Sequence, residues 1–295
     1  MNLHKDESLR TSWQGVSKSR CGIGGDARYS RQPEDSLIWP TETAVEATSD
    51  SRGYTADMSS KIQSSLGAMR SSVNLVRSSH SWTEAESAAG FVLRYLTPMR
   101  KQLIATLGTA RDADQALKML LTHLVSAGFG DHKKGLLRDF LVKAVRSCAR
   151  ARLTDKGRVE AEEEKLSALV SDSKSWLVLW RDCLLERAWR ALERQEHAAP
   201  TQPFYSVLWH STVRSKATDA ELAKIVKEQT GQELNVGEIP QMKVDAKAAF
   251  AQLLADEIVE TLEVPNGETV KREIQVLGIG SAFAGLSFES TADPQ

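Results

Sequence analysis

Cysteine is scarce in this chain, and the spread of its three cysteines argues against a disulfide framework. Cys21, Cys148 and Cys183 lie far apart in the sequence, and no CxxC pair occurs. An odd number of widely separated cysteines fits a reducing compartment better than an oxidising one. We therefore expect a cytoplasmic protein that does not depend on disulfide bonds.

Long apolar runs are also missing. The most apolar windows are short and are interrupted by charged residues, whereas a membrane-spanning helix needs about 20 apolar residues in succession. The N-terminal stretch MNLHKDESLRTSW has no apolar run after its charges, which argues against a secretory signal. The sequence therefore predicts no membrane partner.

Signatures of catalysis and of metal binding are lacking as well. The six histidines stand at positions 4, 80, 123, 132, 197 and 210, outside any HExxH or similar ligand pattern. No P-loop and no GxSxG motif occurs. The phrase LGIGSAFAG has Phe283 where a dinucleotide-binding loop requires glycine. We therefore expect no enzymatic activity, no cofactor and no metal site.

The first 80 residues differ in composition from the rest of the chain. They contain 16 serines and few apolar residues. Such a segment buries too little apolar surface to offset the entropy lost on ordering, so we expect a mostly disordered extension. Within it, 58–77 spaces its apolar residues at steps of three and four. That spacing fits either an amphipathic helix or a transient helix in a tail.

From Trp82 onward, apolar residues recur at helical spacing, which predicts an all-α fold. Helices are expected over 84–107 with a break at Pro98, over 112–127 before Gly128, and over 136–153. An acidic segment, a Trp-rich helix and a short helix follow, at 159–174, 176–196 and 203–213.

Residues 218–262 have the outline of a helix-turn-helix. Thr218 and Glu221 form a capping box, and Gly231 ends the first helix. The second helix covers QMKVDAKAAFAQLLADEIVETL. Helical hairpins of this length are common in all-helical folds, so both DNA binding and simple packing remain open. Residues 263–295 contain a Pro-Asn-Gly turn and a last apolar segment, and are expected to form a tail.

Positive charge is concentrated in one segment of an otherwise balanced chain. The formal net charge is -1, yet nine Lys and Arg lie between Lys133 and Arg158, against two acidic residues. Helical spacing places Lys143, Arg146 and Arg150 together, away from the apolar face. A basic face of this kind attracts phosphate groups and predicts salt-dependent binding of nucleic acid.

Two features of this segment allow a second interpretation. Phe140 could stack on an unpaired base, but it is also in phase with the apolar face and could pack in the core. The acidic run at 159–164 could pair with the basic helix and neutralise it. The sequence leaves both alternatives open.

The order of these segments resembles that of bacterial RNA polymerase sigma factors of the extracytoplasmic-function type. The phrases that carry the resemblance are DADQALKMLL, KKGLLRDFLVKAVR, WLVLWRDCLLERAWRALE, PFYSVL, SKATDAELAKIVKEQTGQEL and AFAQLLADEIVETLEVP. The resemblance covers about 82–288 and is most specific in 176–262.

The resemblance implies two small helical domains on a linker, together with RNA polymerase core, promoter DNA and an anti-sigma or other regulator as partners. The implied divisions are an extension at 1–80, a polymerase-binding domain at 81–158, a linker with the Trp-rich helix at 159–200, a helix-turn-helix domain at 201–262 and a tail at 263–295. The first helical domain would recognise and melt the −10 promoter element, and the second would read the −35 element.

The resemblance also implies particular site residues. In the −10-reading helix 136–153, the resemblance assigns DNA contacts to Arg138, Phe140 and Arg146. The basic cluster adds the other predicted DNA contacts, which are Lys133, Lys134, Lys143, Arg150 and Arg152. In 236–258 the DNA contacts would be Gln241, Lys243 and Lys247. The polymerase-binding residues would be Asp112, Asp114, Gln115 and Lys118. Because Pro240 and Asp245 replace typical DNA-reading residues, we expect weak −35 reading. The alternative is a non-catalytic interaction or regulatory module that reads no promoter.

Overall fold

The computed structural model describes residues 72–77 and 80–289, and this part of the chain is mostly helical. The all-α prediction is therefore confirmed. Its helices are α1 (Ala88–Leu93), α2 (Leu96–Leu107), α3 (Ala110–Ala127), α4 (Leu137–Thr154), α5 (Val159–Ser167), α6 (Lys174–Ala198), α7 (Phe204–Val213), α8 (Asp219–Thr230), α9 (Ile239–Val259) and α10 (Gly267–Leu277). Two short strands, β1 (Ser72–Asn74) and β2 (Ser287–Glu289), complete it.

Local sequence signals account for several helix boundaries. The helix predicted over 84–107 is divided into α1 and α2 before Pro98, which lies in the first turn of α2, where a proline costs no hydrogen bond. Thr109 caps α3 by accepting a hydrogen bond from the backbone N–H of Asp112. Gly128 ends α3 at a positive φ of 62°.

Helices α2, α3 and α4 pack against one another. Their facing sides carry apolar residues at steps of three and four, including Met99, Leu103, Leu120, Leu141 and Val145, all fully buried. The apolar face of α4 was therefore predicted correctly.

The Trp-rich helix α6 is a core element and not part of a linker. It packs against α2 and also against α7 and α9, and its Trp176 and Trp180 are fully buried. The described residues belong to one compact unit. The divisions expected at 158 and 200 therefore do not correspond to breaks in packing, because α6 buries one end against α2 and the other against α9.

Helices α8 and α9 form the expected pair, with the predicted capping box at Thr218 and a left-handed Gly231. Helix α9, however, is surrounded by α6, α7, α8, α10 and β1. Phe250, Leu254 and Ile258 are fully buried. The second helix of the pair is thus a central core helix over most of its length.

The C-terminal segment contains a helix where we expected a tail. Asn266 of the Pro-Asn-Gly turn caps α10, since its side chain accepts a hydrogen bond from the Thr269 backbone N–H. Val270, Ile274 and Leu277 repeat at helical spacing and are buried. The tail expected over 263–295 is therefore wrong for 267–277, where this apolar periodicity, which begins directly after the Pro-Asn-Gly turn, forms a helix.

Strand β1 pairs in parallel with β2, so residues from the two ends of the described chain lie side by side. The Gln252 side chain of α9 exchanges two hydrogen bonds with the Asn74 backbone, both at 2.9 Å. Val73 and Leu75 are buried. The helix expected over 58–77 is therefore wrong for 72–77, where the backbone is extended; 58–71 lies outside the described residues, as do 1–57 of the expected disordered extension.

Candidate nucleic-acid interface

Helix α4 has one buried face and one solvent-facing side, as its periodicity predicts. Lys143 is exposed, while Arg146 and Arg150 on the same side are half-buried. These three residues, here called the basic stripe, follow at steps of three and four and so lie in line over two turns. The structure brings them together as predicted.

Two further cations precede α4. Lys133 and Lys134 are exposed in the segment that leads into the helix. The next residue, Gly135, has a φ of 78°, and its carbonyl accepts a hydrogen bond from the Trp82 indole at 3.1 Å. This anchor holds the two lysines at the N-terminal end of α4, close to Glu263, whose carboxylate accepts a hydrogen bond from the Gly135 backbone N–H at 2.5 Å.

Phe140 lies in an aromatic cluster with Trp82 and Phe129. Its ring centroid is 5.6 Å from that of Trp82 and 5.3 Å from that of Phe129, and the latter pair meets edge to face. Aromatic pairs in these geometries are stabilising. The half-buried Phe140 ring thus takes part in core packing, and a stacking contact of its exposed part with a DNA base stays a prediction.

The acidic run on α5 pairs with part of the basic segment. Arg150 donates a hydrogen bond to Glu163 at 2.7 Å, and Arg158 donates one to Glu162 at 2.8 Å. Both arginines remain partly exposed, so these ion pairs are weak and exchangeable. The pairing alternative thus applies to these two arginines, and a phosphate would compete with Glu163 for Arg150.

Arg138 does not lie on the interface. Its side chain is 9% exposed and bonds the Glu273 carboxylate of α10 at 2.7 and 3.4 Å. It also donates to the backbone carbonyl of Ser171 at 2.8 Å. The predicted DNA contact at Arg138 is therefore wrong, because the side chain points between α4 and α10 and its charge is balanced inside the protein.

Arg152 and Asp112 are likewise used internally. Asp112 is buried at the start of α3, where Arg152 donates to it at 3.0 and 3.1 Å and Lys156 at 2.5 Å. The hydrogen bond from Lys156, with others from Thr109 and Arg152, lowers the pKa of Asp112 to about 2. These contacts join α3 to α4. Asp112 is too buried to contact a polymerase, whereas Arg152, with 22% of its side chain exposed, stays a predicted DNA contact in which phosphate would compete with Asp112.

The other predicted polymerase-binding residues are at the surface. Asp114, Gln115 and Lys118 are exposed on α3, and Arg100 of α2 bonds Asp114 at 2.7 Å. Asp114 and Lys118 line an open groove of about 540 Å³, whose other lining residues are Leu96, Leu117, Leu121, Thr122, Val125 and Ser126. The groove therefore combines apolar residues, spaced one turn apart on α3, with two charged side chains.

The second predicted DNA surface is small. On α9, Gln241 is exposed but donates to Asp245, and Lys243 bonds Asp219 of α8 at 2.6 Å. Lys247 is half-buried. Because most of the later part of α9 packs against other helices, its solvent-facing residues are concentrated in the first turns.

Sequence reasoning did not find the cluster around Glu257. This nearly buried carboxylate accepts hydrogen bonds from Arg187 at 2.6 and 2.9 Å and from Arg94 at 3.3 Å. Burial raises the pKa of the adjacent Tyr95 above its ordinary value. The sequence signal for this cluster is a glutamate on the apolar side of α9. Its arginine partners could not be predicted, because they come from α6 and from the residue that follows α1.

Comparison of the chain with protein-family models, with curated protein sequences and with solved structures gave no match. Within residues 72–77 and 80–289, no three His, Cys, Asp or Glu side chains are arranged to hold a metal ion. In the same residues, no helix combines the length and apolarity that crossing a membrane requires.

Proposed function

We propose that this protein binds the phosphate backbone of DNA through the basic stripe and acts, without catalysis, as a sigma-like transcription initiation factor. The single observation that supports this proposal is the alignment of Lys143, Arg146 and Arg150 on the solvent side of α4, with Lys133 and Lys134 at its N-terminal end. The resemblance in segment order supplies the role with RNA polymerase core.

The proposal assigns backbone binding to α4 and little base reading to α9. Arginine and lysine on an exposed helix face neutralise phosphates and release counterions, a contribution that does not depend on sequence. Reading bases in a major groove requires a free helix face with suitable donors. Helix α9 offers only the exposed Gln241 and the ion-paired Lys243 in its first turns.

A salt series tests the basic stripe. We expect the triple variant Lys143→Ala, Arg146→Ala, Arg150→Ala to bind a promoter-like duplex with a smaller salt dependence than the unaltered protein. Each lost phosphate contact should reduce the slope of log K against log salt by about 0.9. Fluorescence anisotropy over a range of salt concentrations measures this slope.

A matched control separates position from net charge. The variant Lys224→Ala, Lys227→Ala, Lys271→Ala removes three exposed cations from α8 and α10 and changes the net charge equally. It should leave the slope nearly unchanged. Equal slopes for both triple variants would contradict a binding role for the stripe.

A second candidate function is a protein-interaction module that reads no promoter, and the groove on α3 favours it. Leu117, Leu121 and Val125 lie one turn apart along the groove, and Val125 is 75% exposed. An apolar strip of this length suits the apolar face of a partner helix. Exposed Lys118 at the edge favours acidic residues flanking that face.

The groove is tested by binding to RNA polymerase core. Because the Val125 side chain faces solvent, Val125→Asp should leave the fold intact but weaken a core complex at least tenfold, since it places a charge in an apolar contact. Val264→Asp, at another exposed valine, is the control. Unchanged core binding by Val125→Asp would contradict this role for the groove.

A further inference from the structure

In two places within the described residues, a pair of aromatic rings lies close to a carboxylate from another helix. In the first, Arg94 lies over the Phe91 ring at 5.0 Å and Arg187 over the Tyr95 ring at 5.3 Å. Both guanidinium groups also donate to Glu257. The protein thus shows how it binds a guanidinium: one face rests on an aromatic ring while the N–H groups reach a carboxylate.

The second place is an aromatic corner between α6 and α7. Tyr205 and Trp209 lie one turn apart on α7, with ring planes within 14° of each other and centroids 6.1 Å apart. The ring of Trp189 on α6 stands nearly perpendicular to both, at 84° and 89°. Tyr205 and Trp209 are half-buried, so part of each ring remains accessible to a ligand.

Carboxylates border this corner. Glu196 accepts hydrogen bonds from the backbone N–H of Ser206 at 2.8 Å and from its hydroxyl at 2.6 Å, and so caps the start of α7. Glu193 is half-buried one turn earlier on α6. Glu193 follows Trp189 by four positions on α6, so helical spacing places it on the same side of α6 as the Trp189 ring. Burial, and after it the charges of Glu193 and Glu196, raise the pKa of Tyr205.

We propose that the corner formed by Trp189, Tyr205, Trp209 and Glu193 binds a guanidinium group, presented by an arginine of a partner protein. It has the same composition as the internal site around Glu257, namely an aromatic pair one turn apart and a carboxylate on a neighbouring helix. Within the described residues, the cation–ring contacts involve Phe91 and Tyr95, and none lies over Tyr205 or Trp209.

The chemistry favours guanidinium over ammonium. The parallel rings of Tyr205 and Trp209 offer flat surface on which a planar, weakly hydrated guanidinium stacks, and Glu193 accepts its N–H groups in a fork. The ammonium of lysine is a compact and strongly hydrated charge, so it gains less from the rings. Arginine should therefore bind more tightly than lysine.

The test is a titration of the full chain with four blocked amino acids, those of arginine, citrulline, lysine and trimethyllysine. N-acetyl-arginine methylamide should shift the indole N–H resonances of Trp189 and Trp209 in a saturable way. The corresponding citrulline compound has the same shape without the charge and should bind at least tenfold more weakly. The lysine compound should bind between the two, because its charge is retained without the flat stacking surface.

Two variants assign the effect to the corner. Glu193→Gln should weaken arginine binding several-fold, since it removes the charge but keeps the size of the side chain. Glu228→Gln removes an exposed carboxylate on α8 and should bind arginine as the unaltered protein does. Trp209→Leu, with its fold checked by circular dichroism, should abolish the saturable shift of the Trp189 indole N–H resonance.

Defined results would overturn the proposal. Equal affinity for arginine and citrulline would show that the corner binds flat apolar groups and not a cation. Tighter binding of a trimethyllysine compound than of arginine would assign the corner to methylated ammonium groups instead. An unchanged affinity in Glu193→Gln would remove the carboxylate from the site. None of these results bears on DNA binding by α4, because the two surfaces use different residues.

Discussion

Glu273→Ala should destabilise the folded protein by about 3 kcal/mol, because it removes the carboxylate that hydrogen-bonds the buried Arg138 guanidinium and leaves Asp139, 3.2 Å away, as its remaining counter-charge. The Glu273 side chain is 4% exposed and that of Arg138 9%. The pair joins α10 to α4, so its loss weakens the attachment of the C-terminal helix. Urea unfolding followed by circular dichroism measures the change in the free energy of unfolding.

Two further variants make this result interpretable. Glu268→Ala removes a carboxylate that is 82% exposed on the same helix and should cost under about 1 kcal/mol. The double variant Arg138→Leu, Glu273→Leu should recover most of the stability lost in Glu273→Ala, since replacing both charges by apolar residues avoids an unpaired buried ion. A loss below about 1 kcal/mol in Glu273→Ala would contradict this role for Glu273 and show that Asp139 or solvent is enough to balance the Arg138 charge.

Trp180→Ala should have an effect of similar size, about 3–5 kcal/mol, through the cavity that it leaves. The Trp180 ring is fully buried on α6 and stacks on Tyr95 at 5.0 Å and on Trp176 at 6.0 Å between centroids. Its removal weakens the packing of α6 against Tyr95, the residue that immediately precedes α2. Thermal and urea unfolding, followed by circular dichroism, measure the loss.

The milder variant Trp180→Phe retains a ring against Tyr95 and should lose clearly less stability than Trp180→Ala. A second comparison is Leu93→Ala, at a leucine that is 50% exposed, where the expected cost is small. If Trp180→Ala were no more costly than Leu93→Ala, α6 would not be packed on α2 as the structure shows.

Local features of the fold could be predicted from sequence because their causes lie within a few residues. The capping box at Thr218 and the glycine ends at Gly128 and Gly231 each depend on side chains or backbone conformations at the boundary itself. The apolar face and the basic stripe of α4 follow from helical spacing alone. These predictions needed no knowledge of neighbouring helices.

Partner choice could not be predicted in the same way. Arg138 and Glu273 are 135 positions apart, and no local pattern shows that an arginine in a basic helix will turn inward to meet a glutamate in the C-terminal segment. Arg152 was placed on the DNA-binding surface by composition, whereas its position against Asp112 depends on how α4 crosses α3.

The burial of α9 in the core, by contrast, could have been predicted from its sequence. Its residues from Ala246 to Val259 are apolar around most of the helix, with buried positions on several sides. A helix that is apolar nearly all round belongs inside a protein, whereas a DNA-reading helix needs a polar face. The outline of helix, turn and helix drew attention to the turn and away from this composition.

The pairing of β1 with β2 has a consequence for the order in which the protein folds. Ser72 and Glu289, which bond through their side chains, are 217 positions apart, so the contact closes a loop that contains almost the whole described chain. During synthesis, Ser72–Asn74 emerges long before its partner strand, and even before Gln252, which holds its backbone. Contacts between such distant residues are slow to form. The two strands should therefore join last, after the helices between them have assembled.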